Sequence, residues 1–254
     1  MTVLCVLPAR IGSRRLPRKP LQPLAGRPLI EWTWRAARRA SGIDEIWVAT
    51  DDPEIAMRVR DLGGTVVMTS PEHPSGTDRV AEAARRPEAA GFDVILNLQA
   101  DEPFLSPAHL EAVLAPVRAG RTGVATLATP FAAEREWRSP SHVKVVRAAD
   151  GRALYFSRAP VPWSEDGLDA ASAGAGPGAW LRHVGVYAFT RPALERFVSL
   201  PPSRLERLER LEQLRALEAG IGVFVAVAGP CEAAVDVPED LERAERLLAA
   251  RDPN

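Results

Sequence analysis

The sequence predicts an α/β protein whose sheet is mostly parallel and covered by helices on both faces. Three observations carry this. Apolar runs of strand length alternate with amphipathic runs of helix length from Thr2 to Gln99, the signature of βαβ units in a sheet buried on both sides. Polar and charged residues follow these strands directly, and in parallel sheets ligands bind beyond the carboxyl ends of the strands. After about residue 120 the pattern changes: two β-rich runs flank Asp150-Gly151, a turn pair that favours an antiparallel hairpin.

Each element has its own warrant. TVLCVLPA reads as a buried strand, and PLIEWTWRAARRA as a helix with Pro28 at its first position, where the missing N–H costs nothing. EIWVAT is the second strand. DPEIAMRVRDLGG is a helix that opens after Asp52 and stops at Gly63-Gly64. TVVMTS, the helix DRVAEAARR and the strand DVILNLQ complete the first half. GVATLATP is a further strand, HVKVVRAADGRALYFSRAP the hairpin, RHVGVYAF a strand and RPALERFV a helix. SEDGLDAASAGAGPGA, from Ser164 to Ala179, is small, polar and Gly-rich, which predicts a mobile loop. RLERLERLEQLRALEAG predicts one helix in which Leu205, Leu208, Leu211, Leu214 and Leu217 spread over roughly 240°, an arc wide enough to be buried between layers or at a subunit interface. GVFVAVAG is the last strand and VDVPEDLERAERLLAA the last helix.

Composition narrows the function classes. The 254 residues carry a formal net charge of −1, without the excess of cations a nucleic-acid binder shows. Residues 2–9 are too short for a secretory h-region, and cations follow rather than precede them. No apolar run reaches the roughly 18–20 residues of a membrane span. Cys5 and Cys231 lie in apolar segments and read as reduced thiols. Together these predict a cytoplasmic protein that neither binds nucleic acid nor inserts in a membrane.

Four stretches could carry chemistry. LPARIGSRRLPRKPL, Leu7–Leu21, gathers Arg10, Arg14, Arg15, Arg18 and Lys19 within ten residues free of acids. Neither GxxxxGK[ST] nor GxGxxG is present. Prolines at 8, 17 and 20 stiffen the loop, so its cations lose less freedom on engaging a ligand, and guanidinium forks match phosphate oxygens. Phosphate binding and a solvated charge run stand about even. In NLQADEP, an apolar strand ends in Gln99 and runs into Asp101 and Glu102; such acids can hold Mg²⁺ against a phosphate or cap a helix. Asp236, in AAVDVPEDL, has the same two readings. HPSGTDR, His73–Arg79, offers N–H groups and hydroxyls to an anion or a base edge, or a plain N-cap; His73 is a ligand or an ordinary loop histidine. Zinc spacing and GxSxG are both missing.

In order, LPARIGSRRLPRKPL, HPSGTDR, NLQADEP, ALYFSRAPVPW, RHVGVYAF, RLERLEQLR and VDVPEDLERA resemble the 3-deoxy-manno-octulosonate cytidylyltransferase (CMP-Kdo synthetase) family, from Leu4 to about Leu247. The -RLP-KPL- form of the first stretch sets it apart from sialic-acid synthetases. The resemblance implies a Rossmann-like nucleotidyltransferase sheet in a single domain, 1–254. In it 1–130 is the nucleotide-binding half, 140–190 a hairpin lobe for dimerisation and sugar binding, and 191–254 the last strand and C-terminal helices. It implies transfer of CMP from CTP to the anomeric hydroxyl of Kdo, with release of pyrophosphate, for lipopolysaccharide biosynthesis, by a homodimer using Mg²⁺.

The implied residues follow the same motifs. Arg10, Arg15, Lys19, Asp101 and Asp236 are the catalytic set, with Asp101 and Asp236 on the metal. Leu7, Ala9, Arg10, Ser13, Lys19, Ser75, Arg79 and Gln99 meet CTP. Gln99, Arg158, His183, Tyr187, Glu212 and Gln213 meet Kdo, with Arg158 the natural partner of its carboxylate. Glu212 is expected to accept a hydroxyl, and Mg²⁺ to acidify the attacking one. Ile11, Arg14 and Ala100 depart from the family's usual residues. If position 100 needed a positive φ, alanine would cost about 1 kcal/mol there. The alternatives are a cytidylyltransferase for another acidic sugar and a silent nucleotide-binding protein, which turnover would separate.

Overall fold

A computed structural model describes residues 1–13, 15–164 and 180–251. Arg14 and, apart from Ser164, the expected loop Ser164–Ala179 lie outside the described residues. The chain forms two compact units, Met1–Leu110 with Glu232–Asn254, and Glu111–Cys231.

The first unit opens with β1 (Val3–Ala9), every residue of which is buried. A short antiparallel pair follows, β2 (Pro23–Leu24) and β3 (Arg27–Pro28), then α1 (Leu29–Arg39), β4 (Glu45–Thr50), α2 (Pro53–Asp61), β5 (Thr65–Met68), α3 (Gly76–Ala84) and β6 (Val94–Leu98). Four strands stand in the order β6-β1-β4-β5, all parallel, with Cys5 opposite both Ile46 and Leu96. β1 and β6 are buried throughout, and apolar but for Asn97, because neighbours flank them in the sheet and helices cover it. α1 begins one residue later than the sequence predicts: Pro28 keeps an extended backbone in β3 and acts as the N-cap. Asp52 caps α2 as expected, accepting from the Glu54 and Ile55 amides at 2.9 and 3.0 Å, and Gly63 ends the turn at φ 76°.

α4 (Pro107–Arg118) spans the sequence boundary into the second unit, which continues with β7 (Val124–Pro130), α5 (Glu134–Arg138), β8 (Lys144–Arg147), β9 (Ala153–Ser157), β10 (Leu181–Thr190), α6 (Arg191–Ser199), α7 (Arg204–Glu209), α8 (Leu214–Glu218) and β11 (Phe224–Val227). β11 runs parallel to β7; β7–β10, β10–β8 and β8–β9 are antiparallel. The predicted hairpin is β8–β9. Gly151 turns it at φ 92°, and a Cβ there would lie 2.4 Å from the Phe224 ring, so both backbone and space demand glycine.

The single leucine-rich helix is not formed. α7 stops at Glu209 because Arg210 adopts φ 54°, and α8 starts only at Leu214. The Leu211 amide reaches back to the Glu206 carbonyl at 3.3 Å, closing the helix as a left-handed C-terminal motif does, with arginine where glycine is usual. The leucines therefore do not share one buried arc: Leu211 and Leu214 are buried, whereas Leu208 is 70% exposed. Glu212 lies in the break between α7 and α8.

α9 (Pro238–Arg251) returns to the first unit. Its Ala244, with Leu241 and Leu248, packs on Leu16, Leu24, Leu29 and Val235. This cluster places the basic loop, through Leu16, on the same core as the residue preceding Asp236.

Candidate active site

The loop leaving β1 is anchored by its apolar residues. Leu16 and Pro20 are buried, Gln22 Nε2 donates to the Pro17 carbonyl at 2.6 Å, and the Leu16 amide donates to Ser13 Oγ at 3.3 Å. Lys19–Leu21 forms a 3₁₀ turn whose preceding residue, Arg18, sits at φ 55°. The Arg18 side chain turns away to Glu54, 2.5 Å distant and well exposed, so Arg18 is a surface ion pair. Arg10, Arg15 and Lys19 line a cleft.

That cleft, about 610 Å³, is bounded by Pro8, Ala9, Arg10, Gly12, Ser13, Arg15, Lys19, Pro20, His73, Ser75, Gly76, Arg79, Gln99, Ala100, Asp101 and Asp236. It gathers the carboxyl ends of β1 and β6, the start of α3 and the approach to α9, where the βα pattern places a ligand. Of the expected nucleotide and metal residues, only Leu7 is not on its wall; that side chain is wholly buried in β1.

At one part of the cleft the Lys19 ammonium bridges Asp101 and Asp236, contacting both carboxylates, with Asp236 Oδ1 at 2.9 Å. Arg15 adds a second contact to Asp236 at 3.1 Å. The Val235 amide donates to the Asp101 carbonyl at 3.0 Å, so the main chain itself brings these distant positions together. The helix-cap reading fails for both acids. α4 begins only at Pro107, and at α9 it is Asp240 that accepts from the Asp236 and Val237 amides. For Asp236 burial alone would raise the carboxyl; Lys19 and Arg15 outweigh it and hold the acid below the usual range. For Lys19 burial works to lower the ammonium, and the two carboxylates raise it overall.

The α3 end is built differently. Ser75 is the N-cap, accepting from the Asp78 amide at 3.2 Å, and it also lines the cleft. Gly76 sits so close to Gln99 and Pro8 that a Cβ would meet them at 3.3–3.5 Å. Arg79 is buried, paired to Asp51 at 2.8 Å and hydrogen-bonded to Thr69 Oγ1. Gln99 Nε2 donates to Asn97 Oδ1 at 2.9 Å, which orients its amide. Ala100 has no positive φ, so alanine for glycine costs no strain there. The sequence leaves His73 open; its imidazole lines the cleft and contacts Glu82 Oε2, the same oxygen that accepts from the Ser70 amide at 2.9 Å.

The remaining expected residues belong to the second unit. β10 carries His183 and Tyr187 on either side of a register shift, their rings 5.4 Å apart. Thr126 hydrogen-bonds His183 Nε2 and the Val186 carbonyl, both at 2.9 Å. Its hydroxyl is thus committed, and the buried Tyr187 hydroxyl lacks a well-formed hydrogen bond among the described residues. Burial first, then the nearby Glu212 carboxylate, pushes the Tyr187 phenol well above its ordinary range. Burial, then Arg182, lowers His183 to about 3, so its ring is neutral. Gln213 is buried at the start of α8, and Arg158 lies against the end of α7.

A family model described as cytidylyltransferase matches residues 4–225. A 3-deoxy-manno-octulosonate cytidylyltransferase of Acidobacterium capsulatum is 47% identical over 99% of this chain and 98% of its own length. One from an Anaeromyxobacter strain is 49% identical over 98% of each. A solved CMP:2-keto-3-deoxy-manno-octonic acid synthetase in complex with CTP is 38% identical, covers 99% of this chain and 100% of its own, and superposes with a TM-score of 0.88. A stiffened basic loop facing two carboxylates, on a chain related to these enzymes over nearly its whole length, places it in the 3-deoxy-manno-octulosonate cytidylyltransferase family.

Proposed function

We propose that this chain transfers CMP from CTP to the anomeric hydroxyl of 3-deoxy-manno-octulosonate, releasing pyrophosphate. The observation that carries this is the Lys19 bridge: two carboxylates with no capping duty are drawn onto one cation beside the loop of Arg10, Ser13 and Arg15. The sugar's oxygen attacks the α-phosphorus, the bond from that phosphorus to the pyrophosphate oxygen breaks, and the hydroxyl proton passes to solvent. Such a step depends on positioning and on neutralising charge as it moves to the leaving group. Arg10, Arg15 and Lys19 supply that charge, and Gln99, Ser75 and Arg79 seat the nucleoside against α3.

The donor set fits a divalent metal. Asp101 and Asp236 already share one positive ion, the ammonium, and hard carboxylate oxygens with room for phosphate and water suit Mg²⁺. When bound there, Mg²⁺ acts as a Lewis acid and orients the reacting groups. By the family resemblance, Arg158, His183, Tyr187, Glu212 and Gln213 of the second unit meet the acidic sugar. A neutral His183 offers hydrogen bonds without repelling Arg158, which answers the sugar's carboxylate. We take the enzyme to work in the cytoplasm as a homodimer, a state favoured by Leu154, half exposed on the hairpin.

The test is pyrophosphate release with CTP, Mg²⁺ and a panel of eight- and nine-carbon acidic sugars. Turnover should be fastest with 3-deoxy-manno-octulosonate. Faster turnover of another sugar would reassign the substrate, and turnover with none would overturn the reading.

A further inference from the structure

Glu209 lies in RLERLEQLR with no role assigned to it, yet it organises the surroundings of Arg158. Because Arg210 breaks α7, the Glu209 carbonyl has no helical partner, and Arg158 Nε donates to it at 2.9 Å. The Glu209 carboxylate turns back on the same segment: one oxygen accepts from Ser157 Oγ at 2.7 Å, the other from the Arg158 amide at 2.9 Å. Arg158 Nη1 donates to the Pro140 carbonyl at 2.9 Å, and Lys144 Nζ donates to the Arg158 carbonyl at 2.6 Å. Arg158 is therefore held at its amide, its carbonyl, Nε and Nη1.

The acceptors on the guanidinium are neutral carbonyls. Glu209 spends its negative charge on the Arg158 amide, the Ser157 hydroxyl and the neighbouring Tyr155 phenol, and among the described residues no carboxylate forms an ion pair with Arg158. An arginine fixed in this way keeps its charge for a ligand, with Nη2 and the rest of Nη1 presented and Nε already used. We propose that Glu209 is a positioning residue that fixes the Arg158 guanidinium to receive the carboxylate of the acidic sugar through its terminal nitrogens. This rests on the reading of Arg158 as the carboxylate's partner.

Steady-state kinetics and calorimetric sugar binding on Glu209→Gln, Glu209→Ala, Arg158→Lys and the double variant Glu209→Ala/Arg158→Lys test it. Glu209→Ala should raise the sugar KM on the order of tenfold, since misplacing one binding group is costly, while the CTP KM stays within about twofold. Glu209→Gln, which keeps shape and an acceptor, should show a smaller rise. In the Arg158→Lys background the Glu209 change should add little, because both act through one guanidinium. If Arg158→Lys weakens sugar binding but neither Glu209 variant does, the positioning role is wrong. If Arg158→Lys leaves sugar binding unchanged, the reading of Arg158 fails and this inference fails with it. Equal losses toward both substrates, tracking a lower melting temperature, would also overturn it, by showing a structural role alone.

Discussion

Lys19, Asp101 and Asp236 show what a sequence leaves open at the scale of single residues. Each acid stands before a proline or helix, and capping and ligand duties look alike there; only the Val235–Asp101 main-chain bond and the use of Asp240 as the amide acceptor separate them. Since neither acid caps a helix, Asp101→Asn and Asp236→Asn should each change stability by no more than about 1 kcal/mol. Pyrophosphate release at limiting Mg²⁺ should nonetheless fall by orders of magnitude; near-normal turnover in both would place the metal elsewhere. His183 gives a pH prediction. Its folded pKa, about 3, lies below its ordinary 6.5, so the unfolded chain takes up a proton that the folded chain refuses. Stability is therefore lost as pH falls from about 6.5 towards 3. His183→Gln should flatten that slope in urea titrations; an unchanged slope would mean that the ring is protonated when folded. Asp236, held low, acts in a more acid window, its contribution fading below about 4.

Among the elements, the strands were the most legible. EIWVAT is β4 to the residue, and the strand ends correctly mark the rim that carries the cleft. Their apolar runs reflect burial on two faces, which sequence records directly. The leucine-rich segment was misread for a physical reason. Every residue around Arg210 is a good helix former, so local propensity favours continuity; the break coincides with the burial of Leu211, and Arg158 takes the Glu209 carbonyl that it frees. His73 was legible only as the first residue of HPSGTDR, because nothing local points to its pairing with Glu82 across the start of α3. The break carries a prediction. Arg210 occupies a left-handed position that suits glycine, so Arg210→Gly should raise stability by roughly 0.5–1 kcal/mol in chemical denaturation. A loss would mean that the arginine side chain contributes more than its backbone costs.

At the scale of the molecule, the family was legible because its motifs span nearly the whole chain, whereas assembly is not written in any motif. With Val145 and Phe156 buried inside and Leu154 half exposed, the hairpin leaves apolar surface for a partner. Light scattering at micromolar protein should return twice the 27.5 kDa chain mass, and a monomer mass would sink the dimer. The Lys19 bridge has a consequence for how the whole enzyme fills. A chain that carries its own counter-ion between two acids meets a divalent ion with no bare charge to satisfy, and meets a triphosphate with its best lysine engaged. Either ligand alone must break contacts already made. On the proposed mechanism, the two together would trade partners, the acids taking the metal and the lysine the phosphates. Mg²⁺ alone and CTP alone should therefore each raise the melting temperature little, and the pair by more than the sum, with the excess shrinking in Lys19→Met. Additive shifts in the unmodified enzyme would show that the lysine is no obstacle to either ligand.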